Sequence, residues 1–177
     1  MLIILGGLPG VGKSTIAKGL AESLKAVYLR IDTIEQAIKD ASTLLDYQNE
    51  IEVIGEGYMV SCALAKDNLE IGAHVVLDSV NSIEITRQSF RKVAQELEKP
   101  YIEIELICSD SELHRQRVES RISNIPNLKL PSWQAVCDRE YELWYTKDLT
   151  IDTAKISAEQ AILQIKEKVL ERSKQST

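Results

Sequence analysis

Eight consecutive residues carry the most specific chemistry in the chain: Gly7-Leu8-Pro9-Gly10-Val11-Gly12-Lys13-Ser14, a complete G-x-x-x-x-G-K-S. Glycines at this spacing let a loop fold back so that successive backbone N–H groups converge on phosphate oxygens. A helix opening near Lys13 adds its positive dipole end, with Ser14 and Thr15 in its first turn. Lys13 has the reach for the β- and γ-phosphates, and the Ser14 hydroxyl is a hard oxygen ligand suited to Mg²⁺. An apolar strand over residues 2–5 precedes the loop. Ile16, Leu20 and Leu24 mark an amphipathic helix after it, over 14–25. That is the context such a phosphate cradle requires.

Hydrolysis and transfer make different further demands. The apolar run His74 to Leu77 ends in Asp78, a strand-end carboxylate able to orient Mg²⁺ and its waters. A helix cap or turn is its alternative role. Ser79 follows, where ATPase motors place a water-activating Glu, and no guanine-reading Asn-Lys-x-Asp occurs. Nucleotide binding is therefore expected, and hydrolysis as the main task is disfavoured.

Cations must offset the charge of a transferring phosphoryl group. The densest basic cluster is His114 to Arg121. Arg115 has Glu112 and Glu119 at helical spacing and reads as a solvated ion-pair residue. Arg117 and Arg121 lie four apart with no acidic neighbour at helical spacing, an arrangement best understood if an anion sits between them. Arg87 and Arg91 are also four apart; Arg87 is a candidate acceptor contact, whereas Arg91 suits a surface. Asp32 follows the strand ending at Leu29, on the sheet edge that carries the glycine loop, where open α/β sheets bind ligands. Standing before Thr33-Ile34-Glu35, it also suits a helix N-cap. Arg30 is a second candidate for substrate contact.

These residues need a scaffold. Short apolar runs alternate with longer amphipathic stretches, the βαβ pattern of a parallel sheet covered by helices. Strands are expected over 26–29, 74–77, 101–107 and 149–151 besides the first. A long helix should run through Ile51, Ile54, Tyr58 and Leu69 to Gly72, and another through Phe90 to Leu97 before Pro100. Ser109 with Glu112 and Ser157 with Gln160 have capping-box spacing. Residues 124–131 read as a loop, and Trp133, Tyr141, Trp144 and Tyr145 as one helix whose rings pack rather than stack on a ligand. At 177 residues the chain fits a single domain, 1–177. Its formal charge of −6 argues against sequence-independent nucleic-acid binding. Three unpatterned cysteines suit a reducing compartment as small buried apolar groups, with no cation arranged near them. With no apolar run long enough for a signal peptide or a membrane span, a cytoplasmic location is expected.

The P-loop, Asp32 and Val75 to Asp78 resemble the P-loop kinases of small molecules and 5′-hydroxyl ends. That superfamily includes gluconate kinase, adenylylsulfate kinase, chloramphenicol phosphotransferase and polynucleotide 5′-kinase. Asp78-Ser79-Val80-Asn81, Arg117 to Arg121, Pro131-Ser132-Trp133 and Ile151-Asp152-Thr153-Ala154 resemble more narrowly the bacterial AAA-type kinase-like proteins. The resemblance implies a three-layer fold with a five-stranded parallel sheet of order 2-3-1-4-5 and a helical lid, about residues 114–131. It also implies Asp32 as general base toward the acceptor hydroxyl, lid arginines (Arg117, Arg121) on the ATP phosphates, and Thr153 with Ala154 near adenine.

The leading expectation is an ATP- and Mg²⁺-dependent kinase of a small hydroxylated acceptor, with Lys13, Asp32 and Arg121 catalytic and residues 124–131 closing to exclude water. One alternative acceptor is a polynucleotide 5′-hydroxyl end. An alternative of another class is a nucleotide-binding regulator or weak ATPase.

Overall fold

Every residue of β1 (Leu2–Gly6) is buried, as a strand with helices on both faces must be. The computed structural model, which describes residues 1–44 and 55–175, places β1 at the centre of a five-stranded parallel sheet. β3 (Val75–Asp78) and β4 (Tyr101–Ile107) flank it, and β2 (Val27–Arg30) and β5 (Leu149–Asp152) form the edges. The order β2-β3-β1-β4-β5 is the one expected. Register pairs Leu5 with Asp78 and Arg30 with Asp78. The ends of three strands are therefore level at the rim from which the glycine loop departs.

Period-two alternation sorts β1 between two cores. Ile3 and Leu5 pack with Ile16 and Leu20 of α1 (Lys13–Leu24) and Ile165 of α7 (Ala158–Gln175). Leu2 and Ile4 face the other side, with Ile31 of α2 (Ile31–Leu44), Leu69 of α3 (Glu56–Glu70) and Phe90 of α4 (Glu84–Glu96). Two short helices, α5 (Ser111–Ser120) and α6 (Trp133–Cys137), stand over the rim side.

Several local expectations shift. Ile51 and Ile54 of the long helical pattern lie outside the described residues; Tyr58 to Leu69 form α3. The cap of α5 is Asp110, whose carboxylate accepts from Leu113 N at 3.0 Å, so the box expected on Ser109 is displaced by one residue. The Ser109 amide instead donates to Asp152 Oδ1 at 3.0 Å. The Ser157–Gln160 box forms reciprocally, at 3.3 and 2.9 Å. α2 starts at Ile31 with no intervening loop, which puts Asp32 in its first turn rather than at the cap. The helix expected to reach Tyr145 stops at Cys137, and the carbonyls of Glu142 and Leu143 beyond it accept from a buried arginine of α4.

Candidate active site

The glycine loop is pressed between two neighbours. Gly7 has φ +141°, and a Cβ there would lie 2.2 Å from the Leu106 carbonyl oxygen; at Gly10, with φ +88°, it would lie 2.5 Å from Val118 Cγ2. Only glycine fits both conformation and space. α5 completes the clamp with His114, whose Nε2 is 2.8 Å from the Pro9 carbonyl oxygen and whose ring meets Trp133 edge-on. Lys13 opens α1 and donates from Nζ to the Leu8 carbonyl at 3.0 Å. Burial lowers its pKa to about 8 against the opposing pull of Asp78 and Asp32. A cation is thus kept within the loop that is built to receive phosphates.

A chain of polar contacts runs outward from this floor. Asp78 is buried at the end of β3, and Tyr28 from β2 donates its phenol proton to Asp78 Oδ2 at 2.7 Å. Burial, then the Asp78 charge, pushes the Tyr28 pKa well above the usual phenol range. Arg30 stands 3.9 Å from Asp78 through Nε and 3.9 Å from Asp32 through Nη2. Asp32 in turn lies 4.0 Å from Arg121 Nη2. Arg30 Nη1 also donates to Asn124 Oδ1 at 2.9 Å, tying the 121–132 segment to the sheet rim.

Arg117 and Arg121 do not share a helix face. Arg121 is the C-cap of α5 with extended φ and ψ, which swings it toward Asp32. Arg117 turns to β5, donating to the Thr153 hydroxyl at 2.9 Å and carbonyl at 3.1 Å. The Thr153 hydroxyl itself donates to Val11 O at 2.9 Å, linking the β5 end to the glycine loop.

These groups line one cavity of about 1110 Å³, the size class of ligand sites. From the sequence-derived set it takes in Pro9, Gly10, Gly12, Lys13, Ser14 and Thr15, together with Asp32, Arg117, Arg121 and Thr153. Gly7, Leu8, Val11 and Asp78 stand behind its wall, and Ile156, Ser157 and Ala158 line it where Ala154 does not. Tyr28, Glu35, Lys129 and Arg139 also line it, and sequence reasoning missed them. Tyr28 carried a usable signal, two residues before Arg30 on the same strand face. The others come from separate segments and carried none.

Arg87 is the clear correction. It is fully buried, far from an acceptor role. It donates to the carbonyls of Asn81, Ser82, Glu142 and Leu143 and lies 4.7 Å from the centroid of the buried Trp144 ring. Its neighbour Arg91 is no surface residue either; it is buried against Glu103 and Glu84. None of Trp133, Tyr141, Trp144 and Tyr145 lines the cavity. Among the cysteines, Cys137 is exposed, and Cys108 has Arg117 Nη1 3.7 Å from its sulfur, a cation the sequence did not reveal.

Residues 2–139 match the family model described as AAA domain. The chain belongs to the AAA domain family of P-loop kinases. This AAA-domain chain is 31% identical over 159 residues to L-seryl-tRNA(Sec) kinase of Methanococcus maripaludis, covering 86% of the chain and 59% of that relative. It spans somewhat more than half the length of the curated relatives it matches. The fold of Kti12 from Chaetomium thermophilum, solved with ADP-AlF3, superimposes with TM-score 0.69 at 20% identity, over 97% and 98% of the two chains. That of Mycobacterium tuberculosis APS kinase CysC, solved with AMPPNP and APS, gives 0.66 at 15% identity, over 94% and 95%. Among the described residues no helix is long and apolar enough to cross a membrane.

Proposed function

We propose that the protein is an ATP- and Mg²⁺-dependent phosphotransferase that moves the γ-phosphoryl group to a hydroxyl of a small-molecule acceptor. The observation that carries this reading is that Lys13, Asp32 and Arg121, from three separate segments, line one cavity at the mouth of the phosphate loop. In the transfer, a bond forms between the acceptor oxygen and the γ-phosphorus as the bond to the β–γ bridging oxygen breaks, and ADP leaves. The loop amides and Lys13 hold the phosphates, Arg117 and Arg121 offset the charge that spreads in the transition state, and Asp32 receives the hydroxyl proton. Thr153 and the start of α7 hold the adenine end.

The donor set fits Mg²⁺. Ser14 offers a hydroxyl and Asp78 a carboxylate, both hard oxygens. Among the described residues no group of three or more His, Cys, Asp or Glu forms an all-protein cage, which suits an ion whose shell is completed by water and substrate phosphates. When bound, Mg²⁺ neutralises phosphate charge. The Arg30–Asn124 contact and the lining residues Leu128, Leu130 and Pro131 support a lid that excludes water from the transfer.

The test is incubation of the full chain with labelled ATP and Mg²⁺ plus panels of sugars, antibiotics, nucleosides, transfer RNA and 5′-hydroxyl oligonucleotides. Acceptor-dependent labelling, lost in Asp32→Asn while ATP binding persists, supports the reading. ATP binding with no transfer to any member overturns it in favour of a regulator or weak ATPase. The name of the 31%-identical relative favours a second reading, in which an RNA carries the hydroxyl. Labelling of the RNA arm alone would select it.

A further inference from the structure

The cavity carries more positive charge than a nucleotide accounts for. Eight basic and three acidic side chains line it, in a chain whose formal charge is −6. In the reading above Lys13, Arg117 and Arg121 serve the triphosphate, and Lys18 is paired with Glu22 at 4.0 Å on α1. The remaining lining cations are Arg30, Lys39, Lys129 and Arg139, against Asp32 and Glu35. These cations come from the end of β2, α2, the 121–132 segment and the turn after α6, so the fold and not local sequence assembles them.

Two further observations point to a ligand. Arg30 is buried, yet its Nε has no hydrogen-bond partner, and an unmet donor on a buried guanidinium is costly. Lys129 and Arg139 have no side-chain hydrogen bond or ion pair among the described residues, although both line the cavity. Burial and the neighbouring Asp32 raise the Glu35 pKa, while the charges of Lys39 and Arg139, which it faces, favour its carboxylate. The eight lining cations outnumber the three lining acids, and an excess of that sign in a cleft focuses field on small anions, while the net charge of −6 disfavours long polyanions.

We infer that the acceptor is itself a small oxyanion, a hydroxylated carboxylate, sulfate ester or phosphate ester whose acidic group is held by Arg139, Lys129 and Arg30 beside Asp32. The hydroxyl in this statement rests on the phosphotransferase reading; the oxyanion site does not.

The test uses the full chain saturated with ADP and Mg²⁺, so that the phosphate loop is occupied. Matched series are titrated calorimetrically: glycerol, glycerate and glycerol 3-phosphate; glucose, gluconate, glucose 6-sulfate and glucose 6-phosphate. At least one anion should bind about tenfold or more tightly than its neutral counterpart. Arg139→Ala and Lys129→Ala should each weaken that anion by about five- to tenfold with ADP affinity changed less than about twofold, and Arg139→Lys should restore part of the loss. Both residues are exposed, so these variants keep the fold. The inference is overturned if no anion outbinds its neutral partner, or if the variants leave the difference intact. Anion binding without phosphoryl transfer would sink the phosphotransferase reading and leave this one standing. Transfer to neutral acceptors at equal rate would do the reverse.

Discussion

The Arg121 guanidinium lies 4.0 Å from the Asp32 carboxylate, so the last turn of α5 meets the first turn of α2 across the cavity mouth. Neither group is fully buried, and the phosphotransferase reading proposed above assigns Asp32 to the acceptor hydroxyl and Arg121 to the γ-phosphate. If Arg121 offsets charge that appears only during transfer, Arg121→Ala should lower kcat by about 10²–10³-fold while ATP affinity falls by only a few-fold. Equal losses in both, measured by steady-state kinetics and calorimetry, would assign Arg121 to ground-state binding instead.

Tyr28 should act through Asp78. Its hydroxyl donates to Asp78 Oδ2 at 2.7 Å, which fixes one lone pair and leaves the carboxylate oriented by a partner that carries no charge. Tyr28→Phe keeps the ring and removes only that bond. The Mg²⁺ concentration needed for half-maximal nucleotide binding should then rise by about tenfold or more. An unchanged Mg²⁺ dependence would leave Tyr28 a packing residue.

Arg87 should matter for stability and not for ligands. Its guanidinium satisfies four backbone carbonyls from two segments and lies against Trp144. Arg87→Ala strands those carbonyls and opens a cavity, so urea unfolding should show a loss of about 3 kcal/mol or more. ADP affinity at a temperature where the variant is folded should stay within about twofold. A selective loss of acceptor use in a fully stable variant would restore the substrate role that its sequence position suggested.

The contrast between Arg87 and Lys13 shows what a single sequence reveals. Lys13 is legible because every partner it needs, Gly7 to Ser14 and the strand before them, is adjacent in the chain. The strands and helices are legible for a similar reason, since short buried strands and amphipathic helices each repeat with a local period, whereas the order β2-β3-β1-β4-β5 is expected only from the family resemblance. Arg87 is satisfied by Glu142 and Leu143, more than fifty residues away, and nothing near it distinguishes a structural arginine from a ligand-binding one. Arg121 shows an intermediate case. Spacing places it on one helix face with Arg117, but α5 ends at Ser120, which helical periodicity does not encode, and Arg121 reaches the cavity wall from an extended C-cap instead.

Lys13 gives the cavity a pH signature. Burial lowers its pKa from 10.5 to about 8 in the ligand-free protein, with Asp78 and Asp32 pulling the other way. A bound triphosphate places negative charge beside the ammonium and favours its charged form. Nucleotide binding above about pH 8 should therefore take up a proton, and affinity should fall as pH rises from there. Ligand-free stability responds with the opposite sign. The unfolded chain binds the Lys13 proton more tightly than the folded one, so this group's contribution to stability rises between about pH 8 and 10.5. Calorimetry of ADP binding at about pH 9, in buffers of different ionisation enthalpy, reads the uptake directly. Lys13→Met should abolish it and flatten the affinity profile. If the wild-type protein took up no proton there, Lys13 would already be fully charged in the free loop, and the Leu8 carbonyl bond, not burial, would set its state.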